Sequence, residues 1–272
     1  LHLLESDICF LKLTDKIFFK YSEKDFFYQN NTNKSLLINP KQNLILDSLN
    51  SFRSLTGWNK RFQIYLHKNI PIGAGLGGGS ANAAATLILL RKLFNKEKKS
   101  NEILKSDLFK IAYKLGSDVP ACLESKSLKL SGYGNKIRRK KLIGNYFYLI
   151  INPNVQLSTK KVFAKFNSLS DQRLLDNSVY LDDIEIYNSL LAPAIYLAPQ
   201  ISSILSTLKT IPNIVAHGMS GSGSTCFGVF NNINDILSIL KYFEKSYFVW
   251  YGEKKDYNIN RVRCSKMLEI RF

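Results

Sequence analysis

A run of five glycines in seven residues constrains this chain of 272 residues more than any other feature. The glycines are Gly73, Gly75, Gly77, Gly78 and Gly79. Residues 62–66 before the run alternate as in a strand, and the alanine- and leucine-rich residues 80–94 after it favour a helix. Backbone N–H groups without neighbouring side chains approach a ligand closely, and a helix N-terminus adds about half a positive charge. The run therefore predicts a phosphate-binding loop, since a simple turn needs only one or two glycines.

Three common nucleotide-binding motifs do not fit this run. Gly73, Gly75 and Gly78 satisfy G-x-G-x-x-G, but a dinucleotide-binding fold also needs an acidic residue about 20 positions further on. The chain has a lysine-rich loop at 95–100 in that place. No lysine follows the glycines, as a P-loop requires, and no H-R-D or D-F-G motif of a protein kinase is present.

The length and composition are those of a globular protein with two domains. At roughly 150 residues per domain, a chain of this length favours two, and 45% hydrophobic with 22% charged residues are ordinary values. The basic residues 138–141 and Gly144 precede a new apolar strand. We therefore expect one domain at 1–145 and a second at 146–272.

Periodic patterns predict the secondary structure of the two halves. In the first half, apolar positions from Ile45 recur at three and four residues and stop at Gly57, which is typical of a helix with a C-terminal glycine. In the second half, helical patterns at 159–166, 184–191 and 201–208 occur among strand patterns. That order predicts an α+β domain with helices on an antiparallel sheet.

The charge and the cysteines limit the partners and the compartment. The 38 basic and 21 acidic residues give a net charge of +17. Because the lysines are spread along the chain, this charge is explained by a composition bias. The alternative is an electrostatic field that attracts polyanionic small molecules or nucleic acid. The four cysteines form no C-x-x-C pair and the three histidines lie far apart. We expect no metal site built purely from side chains, and a reducing cytoplasm. The uncharged stretches contain glycine, serine or proline, so no membrane span is predicted.

Four segments together resemble a known family. They are PIGAGLGGGSANA at 71–83, GSDVP at 116–120, MSGSGS at 219–224 and HLLES at 2–6. This set is similar to the signatures of the GHMP small-molecule kinases, and the likeness runs from residue 1 to about residue 252. It implies a two-domain α+β fold, with an N-terminal ATP-binding α/β domain and a C-terminal ferredoxin-like α+β domain. It also implies ATP-dependent phosphorylation of an alcohol group, with ATP and Mg²⁺ as cofactors.

The resemblance assigns residues to catalysis and to ATP. Asp118 is implied as the general base for the substrate hydroxyl, and the alternative is an N-cap for the segment that begins at Val119. The implied ATP-binding residues are Pro71, Gly73, Gly75, Leu76, Gly77, Gly78, Gly79, Ser80, Asn82, Asn43 and Lys68. Ser80 is expected near the phosphates or Mg²⁺, whereas Asn43 has the alternative of capping a helix.

The implied substrate is a small molecule in which a cytidyl diphosphate is joined to methylerythritol, phosphorylated on its 2-hydroxyl during non-mevalonate isoprenoid precursor synthesis. The residues implied for it are His2, Thr159, Phe163, Ser220, Gly221, Ser222 and Gly223. By this resemblance His2 hydrogen-bonds the cytosine and Phe163 stacks on it, although the spacing alone makes Phe163 a helix core position. Residues 220–224 are implied to close over the methylerythritol end and the transferred phosphate; the alternative is a plain connection between two strands.

The chain departs from the family pattern at its start. The family's opening strand carries a lysine that pairs with the catalytic aspartate, and an aromatic residue precedes the histidine, where this chain has Leu1. We therefore expect the recorded N-terminus to lack the family's first strand. The basic tail at 253–272 has no interpretation.

Two other functions stay open. One is another GHMP kinase, of the homoserine or mevalonate type, which the triple glycine and residues 2–6 disfavour. The other is a basic nucleic-acid-binding protein, which rests only on the charge. We expect a cytoplasmic monomer or weak homodimer that binds a small-molecule substrate, no nucleic acid and no membrane.

Overall fold

The computed structural model describes residues 4–31, 43–99, 101–140, 144–166, 179–255 and 268–271. The strands among them are β1 (Leu4–Ile8), β2 (Lys16–Ser22), β3 (Phe26–Asn31), β4 (Arg61–Lys68), β5 (Leu128–Gly132), β6 (Lys136–Arg139), β7 (Phe147–Asn152), β8 (Val179–Leu181), β9 (Ile184–Ile186), β10 (Ile214–Met219), β11 (Cys226–Phe230), β12 (Phe248–Glu253) and β13 (Leu268–Arg271). The α-helices are α1 (Leu44–Thr56), α2 (Gly78–Glu97), α3 (Lys105–Leu115), α4 (Val119–Glu124), α5 (Thr159–Phe166), α6 (Leu191–Leu197), α7 (Gln200–Lys209) and α8 (Ile233–Ile239).

The chain divides into two compact units that are not continuous in sequence. The first contains the described residues up to Asn69, those from Gly77 to 140, and β13. The second contains Ile70–Leu76 and residues 144–255. The predicted division at a single boundary, residue 145, therefore differs from these two units in two segments. β13 pairs antiparallel with β2 of the first unit, and Ile70–Leu76 hydrogen-bonds within the second.

The first unit packs helices on a four-stranded sheet of order β13-β2-β4-β3. β3 runs parallel to β4, and the other neighbours are antiparallel. Period-two alternation buries one face of this sheet, including Phe19, Phe62 and Ile64. Against that face lies α2, whose alanines and leucines are buried along most of its length. A second sheet of order β1-β5-β6 completes the unit.

The second unit has an antiparallel sheet of order β10-β11-β7-β12 and a separate β8-β9 hairpin. Its core joins Leu149 and Phe230 of the sheet to Val162, Ile201 and Ile236 of the helices. The predicted α+β arrangement of this half is confirmed.

Most of the helices predicted from periodicity are confirmed, and one is wrong. α5 and α7 occupy the expected places, and Gly57 ends α1 in a left-handed conformation with φ 69°. Residues 184–191 do not form a helix, because Ile184–Ile186 pairs with β8 as a strand. The preceding turn holds Asp182 at φ 53°, a conformation that aspartate tolerates, and this turn chemistry outweighs the helical spacing.

No described helix combines the length and the apolar character that crossing a bilayer requires.

Candidate active site

The N-terminus of α2 is open to an anion. Its N-cap residue is Gly77, at φ 65° and without a side-chain cap, and its first turn contains no acidic residue. The first N–H groups of a helix have no partners within the helix, so these groups remain as donors. With 20 residues, α2 adds the partial positive charge of a long helix at this end. The second half of the glycine run therefore has the donors and the helix dipole that favour an anion.

Asn43 lies beside this helix start. Its Oδ1 accepts a hydrogen bond from Ile45 N at 3.0 Å and caps α1, as the alternative interpretation expected. Its Nδ2 is buried and has no hydrogen-bond partner among the described residues. A Cβ at Gly79 would lie 3.7 Å from Leu44 Cδ1, so the two helices begin next to each other. The Asn43 amide thus offers two donors to a ligand at that place.

Lys68 and Asn82 are engaged with Asp15 in the interior of the first unit. Lys68 and Asp15 form a buried ion pair, and Asn82 Nδ2 donates to Asp15 Oδ2 at 2.8 Å. Asn69 N donates to Asp15 Oδ1, also at 2.8 Å. Burial lowers the pKa of Lys68, and the Asp15 charge opposes that shift. This network joins the end of β4 to α2, so an ATP contact by Lys68 or Asn82 stays a prediction. Sequence reasoning missed Asp15, because no local motif marks it.

The first half of the glycine run has a different environment. Gly73 O accepts from Leu157 N at 3.2 Å and Ala74 O from Thr225 N at 3.2 Å. Ser220 Oγ donates to Gly75 O at 2.8 Å. Gly75 has φ 73°, and a Cβ there would lie 2.4 Å from Ser220 O. Gly75 is therefore required so that the backbone can lie directly against the second glycine-rich loop, residues 220–223.

Hydrogen bonds connect that second loop to the start of α5. Thr159 Oγ1 and Ser222 Oγ are 3.0 Å apart, so two of the predicted substrate residues lie together. Phe163, one turn further along α5, is half-buried, whereas its neighbour Val162 is completely buried in the hydrophobic core. The core position of this helix is thus Val162, and a ligand contact by Phe163 stays a prediction. His2 lies outside the described residues.

Two asparagines that sequence reasoning missed hold the ends of the second loop. Asn152 Nδ2 donates to Thr225 Oγ1 at 2.9 Å. Asn188 Nδ2 donates to Met219 O at 2.9 Å and to Gly221 O at 2.8 Å. No spacing in the sequence connects these asparagines to the loop, because each is separated from it by other strands or helices.

Asp118 occupies the N-cap position of α4, yet its side chain makes no cap hydrogen bond. The residue lies at the surface, and its Oδ1 accepts from Ser117 Oγ at 3.3 Å. Desolvation by the surrounding protein raises the pKa of Asp118, and the Ser117 hydroxyl lowers it. Since the cap interpretation lacks its hydrogen bond, this carboxylate remains available to a substrate.

The turn of the β5-β6 hairpin supports the backbone at Asp118. Gly134 has φ 85°, and a Cβ there would lie 2.3 Å from Ser117 O. Only glycine allows this approach, so the hairpin fixes the peptide that precedes the aspartate.

In the part of the chain that the structure describes, no three His, Cys, Asp or Glu side chains are grouped so as to hold a metal ion. Mg²⁺ usually binds through substrate phosphates, water and one or two protein oxygens, for which such a group is not needed.

Comparison with known proteins identifies the family. The model of the GHMP kinases N terminal domain matches residues 43–126, which include the glycine run and Asp118. The 4-diphosphocytidyl-2-C-methyl-D-erythritol kinase of Anaplasma phagocytophilum (strain HZ) is 32% identical over 262 residues, covering 92% of this chain and 84% of that protein. The chain belongs to the 4-diphosphocytidyl-2-C-methyl-D-erythritol kinase family.

A second relative agrees with this family, and a solved structure agrees with the fold. The kinase of the same name from Wolbachia pipientis wMel is 33% identical, covering 85% of this chain and 82% of its own length. A crystal structure of 4-(cytidine 5′-diphospho)-2C-methyl-D-erythritol kinase superposes with a TM-score of 0.75 at 22% identity, covering 94% of this chain and 91% of that one. The predicted two-domain GHMP kinase fold is confirmed.

Proposed function

We propose that this chain transfers the γ-phosphoryl group of ATP to the 2-hydroxyl of 4-diphosphocytidyl-2-C-methyl-D-erythritol, a step of non-mevalonate isoprenoid precursor synthesis. The observation that carries the proposal is the 32% identity to a kinase of that name along 92% of the chain. The uncapped start of α2 and the carboxylate of Asp118 supply the chemistry that such a kinase needs.

In this mechanism Asp118 is the general base. It accepts the proton of the 2-hydroxyl while the hydroxyl oxygen forms a bond to the γ-phosphorus, and the bond from that phosphorus to the bridging oxygen breaks, so that ADP leaves. Desolvation raises the pKa of Asp118, the direction that favours proton acceptance.

The second half of the glycine run binds the triphosphate of ATP. Charge on the phosphates is balanced by the N–H groups and the dipole of α2. The Nδ2 group of Asn43, which has no hydrogen-bond partner among the described residues, lies at the adjacent helix start. Ser80, in the first turn of α2, is the hydroxyl that we assign to Mg²⁺. When bound, Mg²⁺ would offset the charge of the phosphate oxygens.

The second unit supplies the residues that we assign to the cytidyl substrate. Ser222 and Thr159 form one hydroxyl pair, which suits a substrate rich in hydroxyl and phosphate groups. Phe163 on the same helix presents an aromatic ring for the cytosine, and His2 is assigned to the base edge by family resemblance.

The test is ADP release by the purified full-length protein with ATP, Mg²⁺ and the cytidyl substrate. We expect turnover with this substrate and none with homoserine or mevalonate, which are the acceptors of the alternative kinases. Asp118→Asn keeps the shape and removes the base, so kcat should fall about 10²–10⁴-fold while the melting temperature stays close to that of the wild type. An inactive wild type, or an unchanged kcat in the variant, would contradict the proposal.

We further propose that the protein acts in the cytoplasm as a monomer or weak homodimer. Among the described residues, Cys122 and Cys226 are buried free thiols, in keeping with a reducing compartment. Sedimentation velocity at micromolar and higher concentrations would measure the oligomeric state, and a tight higher oligomer would contradict this part.

A further inference from the structure

The turn between β9 and α6 holds the second glycine-rich loop through one side chain. Asn188 Nδ2 donates to Met219 O and to Gly221 O, the carbonyls of the residues before and after Ser220, at 2.9 and 2.8 Å. Its Oδ1 accepts from Leu190 N at 3.0 Å. Both donors of the amide are thus used on the loop, and its acceptor is used on its own turn.

Ser220, between those two carbonyls, is held from another direction. Its hydroxyl donates to Gly75 O at 2.8 Å, and its N–H donates to Thr225 O at 2.9 Å. Ser220 is therefore already fixed by two hydrogen bonds. Asn188 determines the orientation of the peptide planes that contain the carbonyls of Met219 and Gly221.

The orientation of these planes has a chemical consequence. In a planar trans peptide the carbonyl and the next N–H point in opposite directions. When Asn188 binds the carbonyl of Gly221, it turns the N–H of Ser222 away from itself. This N–H belongs to the loop that we assign to the substrate and the transferred phosphoryl group.

We propose that Asn188 is a positioning residue for phosphoryl transfer: it fixes the peptide planes around Ser220 so that the loop meets the transferred phosphoryl group with preset donors. This inference rests on the proposed function. Both donors of the Asn188 amide bind the loop, so Asn188 acts through the loop, and misplacement of such donors by about 1 Å lowers the rate by up to about 10²-fold.

The deciding variant is Asn188→Asp. An aspartate still accepts from Leu190 N, so the turn before α6 keeps its hydrogen bond, but both donors to the loop are lost. The matched control is Asn232→Asp, because Asn232 Oδ1 accepts from Asn234 N at 2.9 Å in the same two-residue pattern at the start of α8.

Two measurements test the proposal. The first is amide hydrogen exchange at Ser220 and Gly223, whose N–H groups are bonded within the loop. We expect exchange about tenfold faster in Asn188→Asp than in the wild type, and no change in Asn232→Asp. The second is steady-state kinetics, in which Asn188→Asp should lower kcat by about 10- to 100-fold and leave the KM for ATP within about twofold.

Unchanged exchange in Asn188→Asp would overturn the inference. Faster exchange with an unchanged kcat would overturn it as well, since the loop would then be held for no catalytic purpose. If the wild type does not phosphorylate the cytidyl substrate, the proposed function fails, and the exchange measurement still decides whether Asn188 orders the loop.

Discussion

The two halves of the glycine run use the same residue for different physical reasons. Gly75 lies in the second unit, and a Cβ there would come within 2.4 Å of Ser220 O and 2.7 Å of Gly223 O. Gly79 lies in the first unit, where a Cβ would meet only Leu44 Cδ1, at an ordinary 3.7 Å. Gly75 is therefore needed for packing within the protein, whereas Gly79 leaves space at a helix start. One motif in the sequence thus serves two structural purposes.

The largest effect is expected for Gly75→Ala. The added methyl would overlap the backbone of the second loop, and φ 73° is strained for alanine, so neither the backbone nor the loop can adjust cheaply. We expect the free energy of unfolding to fall by about 2–4 kcal/mol, measured by urea denaturation. A loss below about 1 kcal/mol would show that the two loops do not depend on this close approach.

The next largest effect is expected from acid, which should lower the stability of the first unit through Asp25. Burial alone would raise the pKa of Asp25, but hydrogen bonds from Arg53, Phe62 N and Arg61 lower it to about 2. Because the pKa is depressed in the folded state, this carboxylate contributes stability above its unfolded pKa of about 4, and the contribution is lost as the pH falls towards 2. We expect a loss of about 1–2 kcal/mol over this range.

The measurement for Asp25 is denaturation as a function of pH in the wild type and in Asp25→Asn. The variant should be less stable at neutral pH and lose less on acidification. Equal losses in both proteins would exclude Asp25 as the acid-sensitive group of the first unit.

The smallest change in stability, and one of opposite sign, is expected for Gly79→Ala. Alanine is the better helix former, so the free energy of unfolding should rise by about 0.5–1 kcal/mol. The methyl group would also stand in the first turn of α2, where we place the phosphates, and we expect a KM for ATP several-fold higher than in the wild type. Gly75→Ala is the matched control, since the same substitution four residues earlier should destabilise the protein. If Gly79→Ala lowered the free energy of unfolding and left the KM for ATP unchanged, the two halves of the glycine run would not differ in the way described here.

Local patterns explain why much of the secondary structure could be predicted. α5 and α7 were evident from apolar spacing, and the end of α1 from Gly57, because these features depend on neighbours a few residues apart. The incorrect helix at 184–191 contains the apolar residues Ile184, Tyr187 and Leu191 at helical spacing. A turn of two aspartates instead pairs Ile184–Ile186 with β8. The spacing of apolar residues within one segment does not show whether that segment pairs with another strand.

The chemistry of the candidate site could be predicted from the sequence, but the contacts that hold its residues in place could not. The glycine run indicated phosphate binding, the resemblance of GSDVP to the family implied a base, and family membership is confirmed by the relatives. The structure adds that Lys68 and Asn82 are paired with Asp15 and that Gly134 supports Ser117. Whether Lys68 and Asn82 also contact ATP stays a prediction.

The sequence by itself determined the glycine-rich start of α2 and the kinase family, because each depends on short contiguous segments. Phosphate binding there, and the role of Asp118 as base that the family resemblance implies, stay predictions. Only the tertiary structure decided which glycines pack and which remain open, and that Asp15 and Asn188 hold the elements around the site. The physical reason is the distance along the chain. Ser220 and Gly75 are hydrogen-bonded across 145 residues, and a contact of that kind leaves no period or spacing that the sequence can display.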